Sequence, residues 1–152
     1  MTKIFLGSDH GGFLLKQDLY AFLTEKGFLV EDCGIYSEES AHYPEIAITV
    51  SKKVLNEPGS IGILSCGTGI GMSIAANKIP GIRAALCHEP VSAKLSRAHN
   101  NANILCLGGR LIGHLMARNI VEFFLHTSFD EGRHAHRLLL IQNLEKEREH
   151  ES

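Results

Sequence analysis

The chain has 152 residues, is 44% hydrophobic, and carries 15 Lys and Arg against 17 Asp and Glu, a formal net charge of -2. This length fits a single domain, which can bury about two-thirds of the surface of its unfolded chain without disulfide or metal support. The composition excludes a disordered chain. The near-neutral charge argues against a nucleic-acid partner, since nucleic-acid binding needs a strongly basic face.

The sequence contains no segment approaching the roughly 18 apolar residues of a membrane-spanning helix. Its start, Met1-Thr2-Lys3, leads directly into a strand-like pattern without a signal peptide. We therefore expect a cytoplasmic protein with no membrane partner. The cysteines form no Cys-x-x-Cys pair, which predicts neither a zinc site nor a disulfide framework. They are Cys33, Cys66, Cys87 and Cys106.

Short apolar segments rich in branched residues alternate with segments of helical periodicity. The predicted strands are 3–7, 28–32, 61–65, 82–87 and 103–107. The helix after the first strand presents one apolar face, and Gly27 is well placed to end it. That face is formed by Leu15, Leu19, Phe22 and Leu23.

Prolines mark the start of two further helices, because proline is tolerated in the first helical turn. Pro44 precedes one of them, and Pro90 opens the helix 91–97. Longer helices are predicted over 113–126 and 134–149. The last helix carries leucines that an exposed tail would not need, so we expect it to dock on this domain or on a partner subunit.

Strands that alternate with helices predict a parallel sheet, because parallel neighbours need crossover connections. We therefore expect an α/β fold: a Rossmann-like three-layer sandwich with a five-stranded parallel sheet and a C-terminal helix. The sequence shows no internal repeat or linker, and the whole chain 1–152 is predicted to be one domain.

Polar and glycine-rich segments follow three of the predicted strands. In doubly wound folds, ligands bind beyond the carboxyl ends of the strands, near the point where the strand order reverses. We therefore expect these segments to converge on one site. They are 8–12, 66–71 and 108–110.

The segment that begins at Cys66 is the most informative. Gly67, Gly69 and Gly71 let backbone amides approach a ligand, and the helix that follows points its positive end at the same place. Neither a dinucleotide fingerprint nor a Gly-Lys-Ser/Thr motif is present, which disfavours a nicotinamide or nucleotide site. The helix start favours a Cys66 thiolate that acts as base or nucleophile, and the alternative is an inert buried thiol.

Two further groups of residues allow a functional and a structural interpretation. Asp9 and His10 form either an acid–base or anion-binding pair or a helix cap. Arg133 and Arg137 share one helix face, where they bind a phosphate or form a solvated basic patch. His99 is expected at the opposite edge of the sheet from Cys66, so a single site would need a second subunit to supply one of them.

In order along the chain, five segments together closely resemble the ribose-5-phosphate isomerase B family, to which the galactose-6-phosphate isomerase subunits are related. The likeness covers almost the whole chain, and the ordered set is far more specific than any one motif. The segments are Ser8-Asp9-His10-Gly11-Gly12, Cys66-Gly67-Thr68-Gly69-Ile70-Gly71, Arg97-Ala98-His99-Asn100-Asn101-Ala102-Asn103, Gly108-Gly109-Arg110 and Gly132-Arg133-His134.

This resemblance implies interconversion of D-ribose 5-phosphate and D-ribulose 5-phosphate, a reaction of the pentose phosphate pathway, without metal or cofactor. Carried over by position, Cys66 is the base, and His99 opens the furanose ring with the help of Asp9. The loop amides stabilise the enediolate oxygen and Thr68 relays a hydroxyl proton. The loop residues are Gly67, Thr68, Gly69, Ile70 and Gly71.

The resemblance also implies a phosphate site and an assembly. Family members are dimers or tetramers with their sites at the dimer interface, which agrees with the expected separation of His99 from Cys66. The substrate- and phosphate-binding positions beyond the loop are His10, Asn100, Arg110, Arg133 and Arg137.

Three alternatives remain at the level of sequence. The first is the same reaction on a six-carbon substrate such as allose 6-phosphate or galactose 6-phosphate, which the depth of the pocket would decide. The second is a sugar-phosphate sensor that binds without turnover. The third, a metal-dependent hydrolase, is the least favoured, because no His and carboxylate set shows ligand spacing and His134 and His136 point in different directions on a helix.

Overall fold

The computed structural model of the protein describes residues 2–152, so Met1, on which the expected absence of a signal peptide partly rests, lies outside the described residues. Five parallel strands form one sheet in the order β2-β1-β3-β5-β4. The strands are β1 (Lys3–Ser8), β2 (Leu29–Asp32), β3 (Ile61–Cys66), β4 (Ala84–Leu86) and β5 (Ile104–Gly108). The helices are α1 (Phe13–Glu25), α2 (Tyr43–Asn56), α3 (Ile70–Asn77), α4 (Pro90–Asn100), α5 (His114–Leu125) and α6 (Arg133–Glu151).

The sheet separates two apolar cores, as the predicted three-layer sandwich requires. One core joins the sheet to α1, α4 and α5, with Leu19 and Phe124 among its fully buried side chains. The other joins the sheet to α2 and α3, with Val50 and Met72 at its centre. Both faces of the sheet are therefore covered, which is the usual arrangement for parallel strands.

The fourth strand is shorter than its apolar sequence predicts. Ile82 lies in a turn, where its N–H donates to the Ile79 carbonyl, and the Arg83 N–H donates to the side chain of Asn103. Only Ala84–Leu86 pair with β5. Ile82, at the start of this segment, is buried by packing rather than by strand pairing, and periodicity does not distinguish the two. At the other end, Cys87 still donates its N–H to the Cys106 carbonyl of β5 at 3.2 Å.

The C-terminal helix α6 packs on its own domain through a small part of its surface. Leu138 is its buried residue, and Glu145 accepts the N–H of Gly81 at 3.2 Å. Four other apolar residues of this helix remain about half exposed: Leu139, Leu140, Ile141 and Leu144. Within residues 2–152, no helix is long and apolar enough to cross a membrane.

Candidate active site

Three loops meet at the carboxyl edge of the sheet, as the sequence predicts. A Cβ on Gly11 would lie 2.8 Å from the Gly67 nitrogen, and a Cβ on Gly109 would lie 2.8 Å from the Gly11 carbonyl oxygen. The Gly109 N–H also donates to the Cys66 carbonyl at 2.8 Å. The loops after β1, β3 and β5 are therefore in backbone contact, at the point between β1 and β3 where ligands bind in this class of fold.

Cys66 ends β3 with its side chain almost fully buried, at 5% relative exposure. Its sulfur accepts the N–H of Gly69 at 3.1 Å, and a donor at this distance stabilises negative charge on sulfur. Gly69 has a φ of +79°, and a Cβ there would lie 2.8 Å from the Leu107 backbone. The turn that brings this donor to the thiol therefore requires glycine.

The other three thiols differ from Cys66 in their surroundings. Burial raises the pKa of Cys33 to about 11 and also raises the pKa values of Cys87 and Cys106. All four cysteines in the described part of the chain are free. Cys66 alone among them lies in the glycine loop, and the others are packing residues, as predicted.

Asp9 caps the short 3-10 turn that follows β1. One carboxylate oxygen accepts the N–H groups of Gly11 and Gly12 at 2.9 and 3.2 Å, and the side chain is 7% exposed. The capping role considered from sequence is thus present in the structure. It also holds a buried carboxylate within the three-loop junction, one residue before His10.

His10 is held by a backbone donor from another part of the chain. The Ala41 N–H donates to His10 Nδ1 at 3.3 Å. In a neutral imidazole with Nδ1 as acceptor, Nε2 carries the hydrogen. His10 can therefore present a donor to an anionic ligand.

Thr68 and Arg110 complete the outer part of this edge. The Thr68 hydroxyl oxygen accepts the Ile70 N–H at 3.2 Å, and the Arg110 N–H donates to the Gly67 carbonyl at 3.0 Å. The Arg110 guanidinium lies over Gly67, where a Cβ would be 3.4 Å from its Nη1. The exposed cation and the loop amides thus face the same ligand space.

Tyr43 is a residue at this edge that the sequence did not indicate. Its ring lies against Gly71, so that a Cβ on Gly71 would be 2.6 Å from the ring carbon Cζ. Tyr43 is the first residue of α2. Tyr43 and Gly71 lie 28 positions apart in the sequence, so no local pattern indicates their contact.

The remaining predicted site residues form a second group around the start of α6. The rings of His99 and His134 stack with centroids 4.3 Å apart and an interplanar angle of 10°. Arg133 and Arg137 flank His134 on α6, and Asn100 follows His99 as the last residue of α4. Partial desolvation, together with the positive charge of these neighbours, lowers the pKa of His134.

Asp130 joins the two histidines, and their ligand atoms all lie within 4.8 Å of one another. Sequence spacing did not indicate this set, because it comes from α4, α6 and the connection before α6. Imidazole lone pairs lie in the ring planes, however, and planes inclined by only 10° do not meet at one ion. As arranged, the cluster therefore does not form a metal site.

The two groups lie at opposite edges of the sheet. Cys66 is paired with Gly108, the last residue of β5, whereas His99 precedes the first residue of that strand, Ile104. A strand advances about 3.3 Å per residue, so the length of β5 separates the groups. A single chain does not bring His99 to Cys66, as the sequence predicts.

A buried thiol beside backbone donors, placed at the switch point of a parallel α/β sheet, defines a small-molecule enzyme of the doubly wound class. Comparison with known proteins narrows this class. The ribose/galactose isomerase family profile matches residues 4–141. Ribose-5-phosphate isomerase B of Escherichia coli is 46% identical over 148 residues, which cover 97% of this chain and 99% of that protein.

Solved structures agree with the sequence comparison. A ribose 5-phosphate isomerase from Thermotoga maritima has a TM-score of 0.91 at 54% identity, over 93% of this chain and 98% of that one. Ribose-5-phosphate isomerase B from Mycoplasma genitalium, with bound ribulose-5-phosphate, has a TM-score of 0.92 at 41% identity, over 96% and 97% of the two chains. The chain belongs to the ribose/galactose isomerase family.

Proposed function

We propose that the protein is an aldose–ketose isomerase that interconverts D-ribose 5-phosphate and D-ribulose 5-phosphate. The observation that carries this proposal is the contact of the buried Cys66 thiol with the Gly69 N–H, inside a loop rich in backbone donors. A proton next to a carbonyl group is removed readily only if the developing oxyanion is stabilised. Cys66 and its own loop supply the base and the donors together.

The proton transfer is assigned to Cys66 and Thr68. The Cys66 thiolate takes the proton from C2 of the open-chain aldose, and the electron pair moves into a cis-enediolate whose oxygen the loop amides stabilise. Cys66 then returns a proton to C1, while Thr68 relays the hydroxyl proton from O2 to O1. No net oxidant is consumed, because C2 is oxidised as C1 is reduced.

The ring-opening step is assigned to His99. It takes the proton of the anomeric hydroxyl and returns one to the ring oxygen, with Asp9 assisting from the other edge. The structure supports this role through the stacking of the partly exposed His99 on His134 at the start of α6. The ring nitrogens of an imidazole can accept a proton from a sugar hydroxyl or donate one to it.

The phosphate is assigned to side-chain donors on both edges. Arg133 and Arg137 provide two guanidinium groups from one helix face, and His10 and Arg110 provide donors beside the glycine loop. Asn100 adds a side-chain amide next to His99. Anchoring the phosphate holds the reacting carbons at the thiol, so that binding energy remote from the reaction lowers the barrier.

The active unit is proposed to be a homodimer, or a tetramer built from such dimers, with each site shared by two subunits. This follows from the separation of His99 from Cys66 within one chain, and the exposed apolar side chains of α6 supply a surface for the contact. We place the reaction in the cytoplasm, in the pentose phosphate pathway.

The test is proton NMR of ribose 5-phosphate in deuterated buffer that contains a chelator. We expect conversion to ribulose 5-phosphate with deuterium at the carbon-bound positions, and loss of both with Cys66→Ala. Cys33→Ala, which removes a partly buried thiol elsewhere, is the matched control and should retain activity.

Other results would redirect the assignment. Turnover of allose 6-phosphate or galactose 6-phosphate in place of ribose 5-phosphate would identify a six-carbon isomerase with the same chemistry. Binding of these sugars without turnover of any of them would identify a sensor. Full activity of Cys66→Ala would show that another group is the base.

A further inference from the structure

Lys16 is a fully buried lysine outside the site described above. It lies on α1 with 1% of its side chain exposed. Its ammonium donates to the Asp32 carboxylate at 2.5 Å and to the Ile35 carbonyl at 2.5 Å. It also lies 5.4 and 5.3 Å from the ring centroids of Phe13 and Tyr36. Every partner beyond α1 belongs to β2 or to the connection 33–42 that leads to α2.

Stability alone does not account for such a group. Moving an ammonium out of water is costly, and apolar residues of similar size often stabilise a fold as well or better than a buried ion pair. Asp32 is also partly exposed, which weakens the pair further. A buried charge of this kind is therefore better explained by the arrangement that it imposes on the chain.

The segment that Lys16 holds is bonded directly to the start of the active-site turn. The Ser8 N–H donates to the Gly34 carbonyl at 2.8 Å, and the Ile35 N–H donates to the Ser8 carbonyl at 2.9 Å. Ile35 thus binds Lys16 through its carbonyl and Ser8 through its N–H. Ser8 directly precedes Asp9 and His10, so the position of this turn depends on the connection.

The other end of the same connection contacts His10 itself. Its Ala41 N–H donates to His10 Nδ1 at 3.3 Å. If the connection moved away, Nδ1 would lose its donor and the imidazole would be free to change tautomer. Nε2 would then no longer be held as a donor toward an anion.

We infer that Lys16 is a positioning residue for substrate phosphate: through Asp32 and Ile35 it fixes the connection 33–42, which holds His10 with Nε2–H directed at a phosphate oxygen. This inference rests on the proposed function only for the identity of the anion. The effect on the His10 imidazole is independent of turnover.

The test compares Lys16→Met, which keeps the length of the side chain and removes its charge, with Lys26→Met. Lys26 pairs with Glu122 on an exposed surface, so this control removes a lysine and an ion pair far from His10. We expect Lys16→Met to raise KM for ribose 5-phosphate about tenfold and to change kcat by less than about twofold. Lys26→Met should change neither.

The second readout is the set of imidazole 15N shifts of His10, assigned by comparison with His10→Gln. In the wild type they should report hydrogen on Nε2, and in Lys16→Met a mixture of tautomers. Should Lys16→Met fail to fold, Asp32→Asn removes the charge of the ion pair, keeps an oxygen that can accept the Gly34 N–H, and should give the same two changes.

Unchanged KM and unchanged His10 shifts in the folded variants would overturn the role of Lys16. If the wild type does not turn over ribose 5-phosphate but the His10 shifts still differ between wild type and Lys16→Met, the proposed substrate is overturned and the positioning role is retained.

Discussion

Gly12 lies where the backbone before α1 packs tightly against the backbone at the end of β3. A Cβ at this position would lie 2.3 Å from the carbonyl oxygen of Ser65, whose hydroxyl donates to the Gly12 carbonyl at 2.9 Å. No rotation of a side chain relieves a clash between a Cβ and a main-chain atom. The start of α1 can therefore reach the end of β3 only with glycine here.

We expect Gly12→Ala to lower the free energy of unfolding by about 3 kcal/mol, the upper range for overpacking a close contact. Gly113→Ala is the control, because Gly113 has a φ of -76° and open space around its Cα. Urea denaturation of both variants measures the difference. Equal stability would mean that the loops after β1 and β3 separate without cost.

Arg137 tests the phosphate assignment at the scale of one side chain. Arg137→Ala should raise KM for the sugar phosphate by about tenfold or more, since a charge-assisted hydrogen bond is worth about 1.5–3 kcal/mol. The change in kcat should be smaller, because the phosphate does not react. Arg148→Ala removes a guanidinium from the far end of the same helix and should leave steady-state kinetics unchanged; equal effects of the two would indicate a general charge effect.

At the scale of secondary-structure elements, a bidentate ion pair joins helix α5 to helix α1. Arg118 donates from Nε and Nη2 to the two carboxylate oxygens of Asp18, at 2.9 and 2.5 Å. The Asp18 side chain is 16% exposed. Hydrogen bonds from Arg118 hold the pKa of Asp18 below its ordinary value, with His114 adding to this effect.

A carboxyl group whose pKa is lower in the folded than in the unfolded state stabilises the fold at pH values above its unfolded-state pKa, which is about 3.9 for Asp. The contribution of Asp18 should therefore be full at neutral pH and be lost as pH falls below about 4. We expect Asp18→Asn to cost about 1 kcal/mol at neutral pH and progressively less in acid. Thermal unfolding from pH 7 to pH 3 measures this, with the exposed Glu38→Gln as control; a pH-independent difference would assign the loss to packing.

At the scale of the whole molecule, the group of residues around Cys66 and the group around His99 must come together to form one site. If each site takes Cys66 from one subunit and His99 from its partner, mixed dimers of Cys66→Ala and His99→Ala contain one intact site. After unfolding and refolding an equimolar mixture, half of the dimers are mixed, so about a quarter of wild-type activity should return.

A second mixture provides the control for this experiment. Asp9 and Cys66 lie on the same edge of one chain, so mixing Asp9→Asn with Cys66→Ala leaves no intact site and should restore nothing. Recovery in both mixtures, or in neither, would contradict a site divided between subunits in this way.

The sequence predicted the architecture well because its signals are local. Apolar segments with branched residues gave the strands, helical periodicity gave the crossover helices, and both are confirmed except at the ends of β4. The convergence of the loops after β1, β3 and β5 also followed, since parallel strands end at a common edge. The family resemblance, carried by motifs within those loops, is confirmed by the comparisons.

Other features of the site could not be predicted from the sequence, because they are contacts between residues that are far apart along the chain. Tyr43 against Gly71 and Asp130 beside the two histidines are contacts of this kind. The roles of the individual site residues remain predictions, for which Cys66 and Arg137 provide the most direct tests.

By itself, the sequence determined the order of strands and helices along the chain, the parallel sheet and the edge where the glycine-rich loops converge, because periodicity and glycine-rich turns act over a few neighbouring residues. Only the tertiary structure decided which side chains meet. It placed the Lys16 ammonium against the connection that holds His10, and it stacked His99 on His134 at the opposite end of β5 from Cys66. Such pairings depend on packing across the whole domain, which no local pattern encodes.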